Sequence, residues 1–215
     1  MRYIAFDAAN TLIHKPQVYE IWVNILNANG YAIKLPELRY THHIVSELIH
    51  FPDRTSQDFY AHFNAKVLLS LGIMPTEELL SALFQQLTYS PWEVFADVKA
   101  LKSTNLPLLI FSNFNSSLVS ILETLLPNIH FQYAISEKIG LQKQNVNFYK
   151  NACKSLNIDV QDVIYIGDSP LLDVHHARLC GIQSYLIDRY THYPLNPYRF
   201  SSMYEFIEFA NSCQS

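Results

Sequence analysis

The sequence has few cysteines, no strong excess of charge of either sign and no long apolar run. Its 215 residues include three cysteines, odd in number and far apart. This spacing excludes a metal site built from paired cysteines, and it favours a reduced, cytoplasmic protein whose thiols serve in packing. The formal net charge of −4 gives no general electrostatic reason to bind nucleic acid or an anionic membrane.

Targeting and membrane-spanning segments are also lacking. No stretch approaches the roughly 20 apolar residues that a transmembrane helix needs, and the first residues lead directly into an apolar strand pattern, so we expect no signal peptide. Hydrophobic residues make up 49% of the chain, which is enough for a substantial core. We therefore expect a globular protein with one large domain, or a core with a smaller insertion. The sequence leaves the oligomeric state open.

A block of helical periodicity occupies residues 15–90. Apolar side chains recur there at intervals of three and four residues, which is typical of amphipathic helices, and no strand pattern interrupts them. The predicted helices run from Val18 to Ala28, from Glu37 to Ile49, from Ser56 to Leu71 and from Thr76 to Leu87. The block is therefore predicted to be an all-helical insertion with a core of its own.

Strands and helices alternate after residue 91. The predicted strands are Leu106–Phe111, Phe131–Ile135, Val163–Ile166 and Ser184–Ile187, and the predicted helices are Val94–Ser103, Ser117–Leu126, Val146–Asn157, Leu171–Cys180 and Met203–Ala210. This alternation favours parallel strands joined by right-handed crossovers. Together with an apolar strand near the start of the chain, it predicts an α/β fold. We expect a Rossmann-like parallel sheet formed by residues 1–14 and 91–215.

Polar side chains stand at the carboxyl ends of three predicted strands. They are Asp7, Ser112 and Asp168, and ligands of open parallel sheets gather at that edge. Taken singly, each has an ordinary explanation as a helix cap or a turn residue, just as Lys143 is most simply a solvated lysine. Their occurrence in one order, with Asp173 five residues after Asp168, predicts that they converge on a shared site.

This order of motifs resembles that of the haloacid dehalogenase-like (HAD) hydrolases, specifically members with a helical cap inserted after the first strand. The resemblance extends from Asp7 to Asp173, and the helical block occupies the cap position. It implies that Asp7 is the nucleophile and that Ser112 and Lys143 hold a phosphoryl group. It also implies that Asp168 and Asp173 position a magnesium ion.

The resemblance implies further roles for the loops around the nucleophile and the lysine. The main-chain carbonyl of Ala9 would be another magnesium ligand, and Thr11 and Asn113 would bind substrate. Asn10 stands where the family usually has glycine, a mild change because asparagine tolerates left-handed backbone. Gln144 stands where the family often has proline, which affects the fine positioning of the loop that carries Lys143 (the lysine loop).

Ala9 is the departure from the family pattern with the largest chemical consequence. Family phosphatases have an aspartate at this position, which protonates the leaving oxygen and then activates water. Alanine can do neither, and a positioned general acid–base group contributes on the order of 10²–10⁴-fold. We therefore predict a slow magnesium-dependent phosphatase that acts on a small phosphorylated metabolite through an aspartyl-phosphate at Asp7. His14 is a candidate substitute proton carrier.

Three alternatives stay open. A dehalogenase needs no metal and usually has tyrosine at the position of Ala9. A phosphonate-cleaving enzyme has alanine there but needs a cap lysine for a Schiff base, and Lys34 and Lys66 are the candidates. A binding or regulatory protein would keep the phosphate and metal pocket without effective turnover.

Overall fold

The structure is a computed structural model that describes residues 2–88 and 90–213. The chain divides into two units. One comprises Met1–His14 and Val94–Ser215, and the other comprises Lys15–Glu93.

A parallel sheet organises the first unit and confirms the predicted α/β fold. The strands of the chain are β1 (Tyr3–Phe6), β2 (Ile13–His14), β3 (Glu93–Val94), β4 (Leu108–Ser112), β5 (Phe131–Ile135), β6 (Val163–Gly167), β7 (Gln183–Ile187) and β8 (Arg199–Phe200). Six of them form one sheet in the order β5-β4-β1-β6-β7-β8, with parallel pairing throughout. The short strands β2 and β3 form a separate two-stranded sheet.

Most of the helices lie close to their predicted positions, whereas the short helix at Ser136–Ile139 was not predicted. They are α1 (Val18–Ala28), α2 (Leu35–Leu48), α3 (Gln57–Ser70), α4 (Glu77–Leu87), α5 (Ser117–Leu125), α6 (Ser136–Ile139), α7 (Asn147–Ser155), α8 (Ala177–Leu179) and α9 (Met203–Ser212). Helices α3 and α4 begin with side-chain caps: the Ser56 side chain accepts from the Phe59 amide, and the Thr76 side chain accepts from the Leu79 amide. Among the described residues, no helix is long and apolar enough to cross a bilayer.

Two helix predictions were wrong in detail. The predicted helix Val94–Ser103 is a 3-10 helix at Ala96–Ser103. It starts late because Phe95 is extended and donates its amide to the Leu12 carbonyl. The predicted helix Leu171–Cys180 instead opens as a π-helical turn at Pro170–His176 and ends in α8. The amides of residues 173 and 174 both donate to the Ser169 carbonyl, which produces the wider turn.

The strand order brings the polar residues at the carboxyl ends of three strands to one edge of the sheet. Strand β1 lies between β4 and β6, with Phe6 opposite Ile110 on one side and Ile166 on the other. Every residue of β4 and β6 is buried, as expected for strands covered by helices on both faces. Parallel strands end at the same edge, so the last residue of β4 and the residues after β1 and β6 come together there.

Helices α1–α4 enclose the core of the second unit, which includes Trp22, Leu26, Phe63 and Leu83. His42 packs edge-on against aromatic rings of this unit, including those of Trp22 and Phe63. Burial lowers the pKa of His42 to about 4, and neighbouring His43 contributes to this shift. The imidazole is therefore neutral at physiological pH and serves the core as an aromatic ring.

Candidate active site

Three carboxylates converge at the carboxyl edge of the sheet. Asp7 follows β1, Asp168 follows β6, and Asp173 lies in the π-helical turn after β6. One oxygen of each carboxylate lies within 4.8 Å of the others. Asp7 and Asp173 are buried, and Asp168 is partly exposed. The structure therefore brings together the predicted acids at one place.

Lys143 lies between two of these carboxylates. Its Nζ donates to Asp7 Oδ1 at 2.5 Å and to Asp173 Oδ1 at 2.7 Å, and the residue is only 2% exposed. The hydroxyl of Ser112, at the end of β4, also donates to Asp7 Oδ1, at 3.4 Å. One oxygen of Asp7 thus faces an ammonium group and a hydroxyl, the two groups predicted to hold a phosphoryl group.

Burial and charge act against each other in this cluster. Burial raises the pKa of Asp7 to about 6; the Lys143 ammonium opposes this rise and the Asp173 carboxylate adds to it. Burial alone would lower the pKa of Lys143, but the charges of Asp173 and Asp7 outweigh it and leave the pKa above its ordinary value. Lys143 is therefore an ammonium ion at neutral pH. Three carboxylates and one ammonium leave the site negative overall when all are ionised, which favours a cation.

Asp173 is held by groups on β6 and the turn that follows. The Tyr165 hydroxyl donates to Asp173 Oδ1 at 2.6 Å, and the Ser169 amide donates to Asp173 Oδ2 at 3.0 Å. Tyr165 is completely buried, and burial raises its pKa well above the ordinary value, so the phenol stays protonated. Tyr165 was not predicted as a site residue, and the available signal in the sequence was a phenol inside an otherwise apolar strand.

Gly167 leaves room for the Asp173 carboxylate. A Cβ at position 167 would lie 2.2 Å from both Cγ and Oδ2 of Asp173. We expect Gly167→Ala to displace the carboxylate, to lower the free energy of unfolding by about 1–3 kcal/mol and to weaken the stabilisation by magnesium. Urea unfolding with and without magnesium measures both effects.

Gly72→Ala in the helical unit is the matched control. Gly72 has a φ of +75°, and a Cβ at this position would have no described atom within 4 Å. Alanine there costs only the left-handed backbone strain of about 1–2 kcal/mol. The response to magnesium should stay as in the wild type. A Gly167→Ala protein with wild-type stability and wild-type magnesium response would contradict the prediction.

Asn113 and Gln144 join the lysine loop to the end of β4. Asn113 Oδ1 accepts from the Lys143 amide at 2.8 Å, and Asn113 Nδ2 donates to Gln144 Oε1 at 2.9 Å. On the other side, His176 Nδ1 donates to the Lys143 carbonyl at 2.8 Å. Both ends of the Asn113 amide therefore contact the lysine loop, so this predicted substrate-binding residue also positions Lys143.

The loop after Asp7 is tight and closed by main-chain hydrogen bonds. Asn10 has a φ of 61°, a left-handed conformation that asparagine tolerates, and its amide donates to the Ile13 carbonyl at 2.7 Å. Thr11 is buried, and within the described part of the chain its hydroxyl has no hydrogen-bond partner. The Ala9 side chain ends at a methyl group, so it offers the site no proton donor.

The donor set of the cluster fits a magnesium ion. The grouped side chains Asp7, Asp168 and Asp173 offer only carboxylate oxygens, and magnesium prefers such hard oxygen ligands and keeps several waters. Histidine and cysteine, which zinc and copper favour, do not belong to the group. The main-chain carbonyl of Ala9, two residues after Asp7, stays a predicted further oxygen ligand.

Comparison with known proteins agrees with this geometry. A family model described as haloacid dehalogenase-like hydrolase matches residues 1–181. A curated relative, haloacid dehalogenase-like hydrolase domain-containing protein 3 of Danio rerio, is 28% identical over 103 residues. The match covers 46% of this chain and 43% of the relative, so it spans less than half of that protein.

Solved structures share the fold over almost the whole chain. The HAD-hydrolase YfnB of Bacillus subtilis, in a form bound to magnesium, has a TM-score of 0.68 at 15% identity, with 98% of each chain covered. The L-2-haloacid dehalogenase RSc1362 has a TM-score of 0.67 at 17% identity, with 98% of this chain and 99% of the other covered. A predicted phosphoglycolate phosphatase from Haemophilus somnus 129PT has a TM-score of 0.62 at 13% identity, with 98% of each covered. At these identities the similarity establishes the fold, which dehalogenases and phosphatases share.

Proposed function

The chain belongs to the haloacid dehalogenase-like hydrolase family, and from that premise we propose that it is a magnesium-dependent phosphatase. Its substrate is a small phosphorylated metabolite, and the reaction passes through an aspartyl-phosphate at Asp7. The observation that carries the proposal is the placement of Asp7. Its carboxylate lies within hydrogen-bond reach of Lys143 and Ser112 and in one cluster with Asp168 and Asp173.

The side chains around Asp7 match the needs of phosphoryl transfer. The Asp7 carboxylate attacks phosphorus while the P–O bond to the leaving alcohol breaks, and with alanine at position 9 the alcohol takes its proton from water. Water then cleaves the aspartyl-phosphate, which releases inorganic phosphate and restores the carboxylate. Lys143 provides a compact positive charge for the oxygens of the transferring group, and Ser112 donates a hydrogen bond without adding charge. The Thr11 hydroxyl is buried without a partner in the described residues, and we propose that it and Asn113 bind the substrate.

Magnesium would be held by the carboxylates of Asp7, Asp168 and Asp173 and by the Ala9 carbonyl. When bound, the ion neutralises charge and so permits an anionic phosphate to approach an anionic nucleophile. Asp173 is kept in place for this task by Tyr165 and by the backbone of Ser169.

Two of the alternatives have less support. Displacement of halide from carbon requires no metal, whereas this site groups two further acids with Asp7. A Schiff-base lysine needs an environment that lowers its pKa, usually an apolar pocket, whereas Lys34 and Lys66 are exposed. The third alternative, a phosphate-binding protein without turnover, is favoured by one observation, the methyl side chain at Ala9. A cytoplasmic location stays a prediction from the cysteine content.

The test is hydrolysis of a panel of phosphate monoesters with magnesium and after removal of metal by EDTA. We expect slow turnover with magnesium and a fall of at least about 10²-fold without it, because the ion supplies several kcal/mol of charge stabilisation. Magnesium at about 100 times its dissociation constant should also stabilise the fold by about 2.7 kcal/mol. Binding of phosphate with no turnover across the panel would favour the binding protein, and turnover that is indifferent to EDTA would refute the metal dependence.

A further inference from the structure

Arg189 follows β7 and contacts the backbone of the nucleophile loop, residues 8–12. Its Nη1 donates to the Asn10 carbonyl at 3.3 Å, and its Nη2 donates to the Thr11 carbonyl at 3.0 Å. Both carbonyls lie within four residues of Asp7 along the chain. Arg189 therefore contacts the loop that presents the nucleophile without contacting the nucleophile itself.

The guanidinium group is fixed from two further directions. Its Nε and Nη2 donate to the two carboxylate oxygens of Asp97 at 2.8 and 2.9 Å, and Asp97 in turn accepts from the Met203 amide at 2.8 Å. The face of the guanidinium lies 4.0 Å from the ring centroid of Phe95. A planar, delocalised fork suits this combination of bidentate pairing and stacking, which lysine cannot reproduce.

These contacts hold the part of the loop whose backbone is left-handed. Asn10 has a φ of 61°, and left-handed backbone costs most L residues about 1–2 kcal/mol and asparagine less. In a trans peptide the carbonyl and the following amide point in opposite directions. By binding the Asn10 carbonyl, Arg189 sets the orientation of the peptide plane between residues 10 and 11. The Thr11 amide then points away from the guanidinium group. Strained loops of this kind are retained when the surrounding structure fixes them.

We propose that Arg189 is a positioning residue for catalysis, one that fixes the peptide planes of residues 10 and 11 and through them the Asp7 carboxylate. The proposal rests on the function proposed above. A misplacement of about 1 Å can cost on the order of 10²-fold in rate, so the loss should appear in kcat. KM should change less, because among the described residues Arg189 bonds to the main-chain carbonyl of Thr11 and not to its hydroxyl, and it contacts neither Ser112 nor Lys143.

The variants to compare are Arg189→Gln and Arg189→Lys, with Arg199→Gln as the matched control. Arg199 forms an equally short ion pair with Asp188, at 2.8 Å, and its side chain is 5% exposed. No contact of Arg199 with the nucleophile loop occurs among the described residues. The control thus removes a buried ion pair from the same unit without touching residues 8–12. Arg189→Lys keeps a positive charge beside Asp97 and so keeps a folded variant available if the glutamine variant is unstable.

Two readouts decide the proposal, steady-state kinetics and hydrogen exchange of the amides of the nucleophile loop. Both Arg189 variants should lose about 10- to 100-fold in kcat and should exchange these amides about 10-fold faster, while Arg199→Gln changes neither. The proposal is overturned if the Arg189 variants keep both kcat and amide exchange within two-fold of the wild type. It is also overturned if Arg189→Lys behaves as the wild type does, or if Arg199→Gln has an effect equal to that of the Arg189 variants. If the wild type hydrolyses no phosphoester, the proposed function fails, and the exchange comparison alone then decides whether Arg189 holds the loop.

Discussion

Replacing Ala9 with aspartate should raise the turnover number of the proposed phosphatase reaction by about 10²–10⁴-fold, the usual contribution of a positioned general acid–base group. Ala9 lies two residues after Asp7 in the tight loop and is partly exposed, so a carboxyl group can be added there without filling a closed core. The new acid would protonate the leaving oxygen and then activate the water that cleaves the aspartyl-phosphate. The measurement is kcat on the best substrate of the phosphoester panel.

Ala9→Asn is the control for this gain. Asparagine has nearly the same size and shape as aspartate but cannot exchange a proton in this way, so its kcat should stay near that of the wild type. On the proposed mechanism the wild type lacks the acid of the first step and the base of the second. An ester whose leaving group departs without protonation needs only the base, so it should give a burst of leaving-group release before the steady state. An aspartate variant no faster than the asparagine variant would show that proton transfer is not what limits the enzyme.

Asp7→Asn should reduce turnover by more than about 10⁴-fold, the scale observed when a catalytic nucleophile is removed. The change preserves the shape of the side chain, and Lys143 keeps Asp173 as a charged partner at 2.7 Å, so the fold should survive. Mass spectrometry of the wild type quenched during turnover should find the phosphoryl group on the peptide that contains Asp7, and the variant should show none.

Asp159→Asn provides the comparison for Asp7→Asn. Asp159 is exposed on the same unit and caps the short turn at Val160–Asp162, so its loss removes one carboxylate without affecting the site. Turnover should be unchanged. Retention of a tenth or more of the wild-type activity in Asp7→Asn would assign the nucleophile to another group and refute the proposed mechanism.

The sequence was sufficient to predict the elements and residues that follow strong local patterns. The long apolar runs at β4 and β6 predicted buried parallel strands, and a polar residue at the end of each predicted the convergence with Asp7. By contrast, β2, β3 and β8 each contain two residues, too few to show any periodicity. The 3-10 helix at Ala96–Ser103 was misassigned because its apolar spacing also fits an α-helix, and only the contact of Phe95 with Leu12 delays its start.

The groups that hold the site in place depend on contacts that no local pattern encodes. Arg189 meets Asp97 at a sequence separation of 92 residues, and it meets Thr11 at a separation of 178. Tyr165 lies in a strand whose apolar neighbours gave no reason to expect a bond to Asp173. Gln144 was recognised only as a departure from the family pattern, whereas the structure shows its side chain bonded to Asn113.

The close approach of Gly167 and Asp173 means that these positions constrain each other's evolution. A side chain at 167 and a carboxylate at 173 compete for the same volume, so position 167 can gain a side chain only if the acid at 173 moves or is replaced. If position 167 becomes alanine or serine, the acid at 173 must be shorter or rotated, and the cluster then loses one carboxylate oxygen. Attempts to redesign this enzyme towards metal-free chemistry should therefore treat the two positions as one substitution.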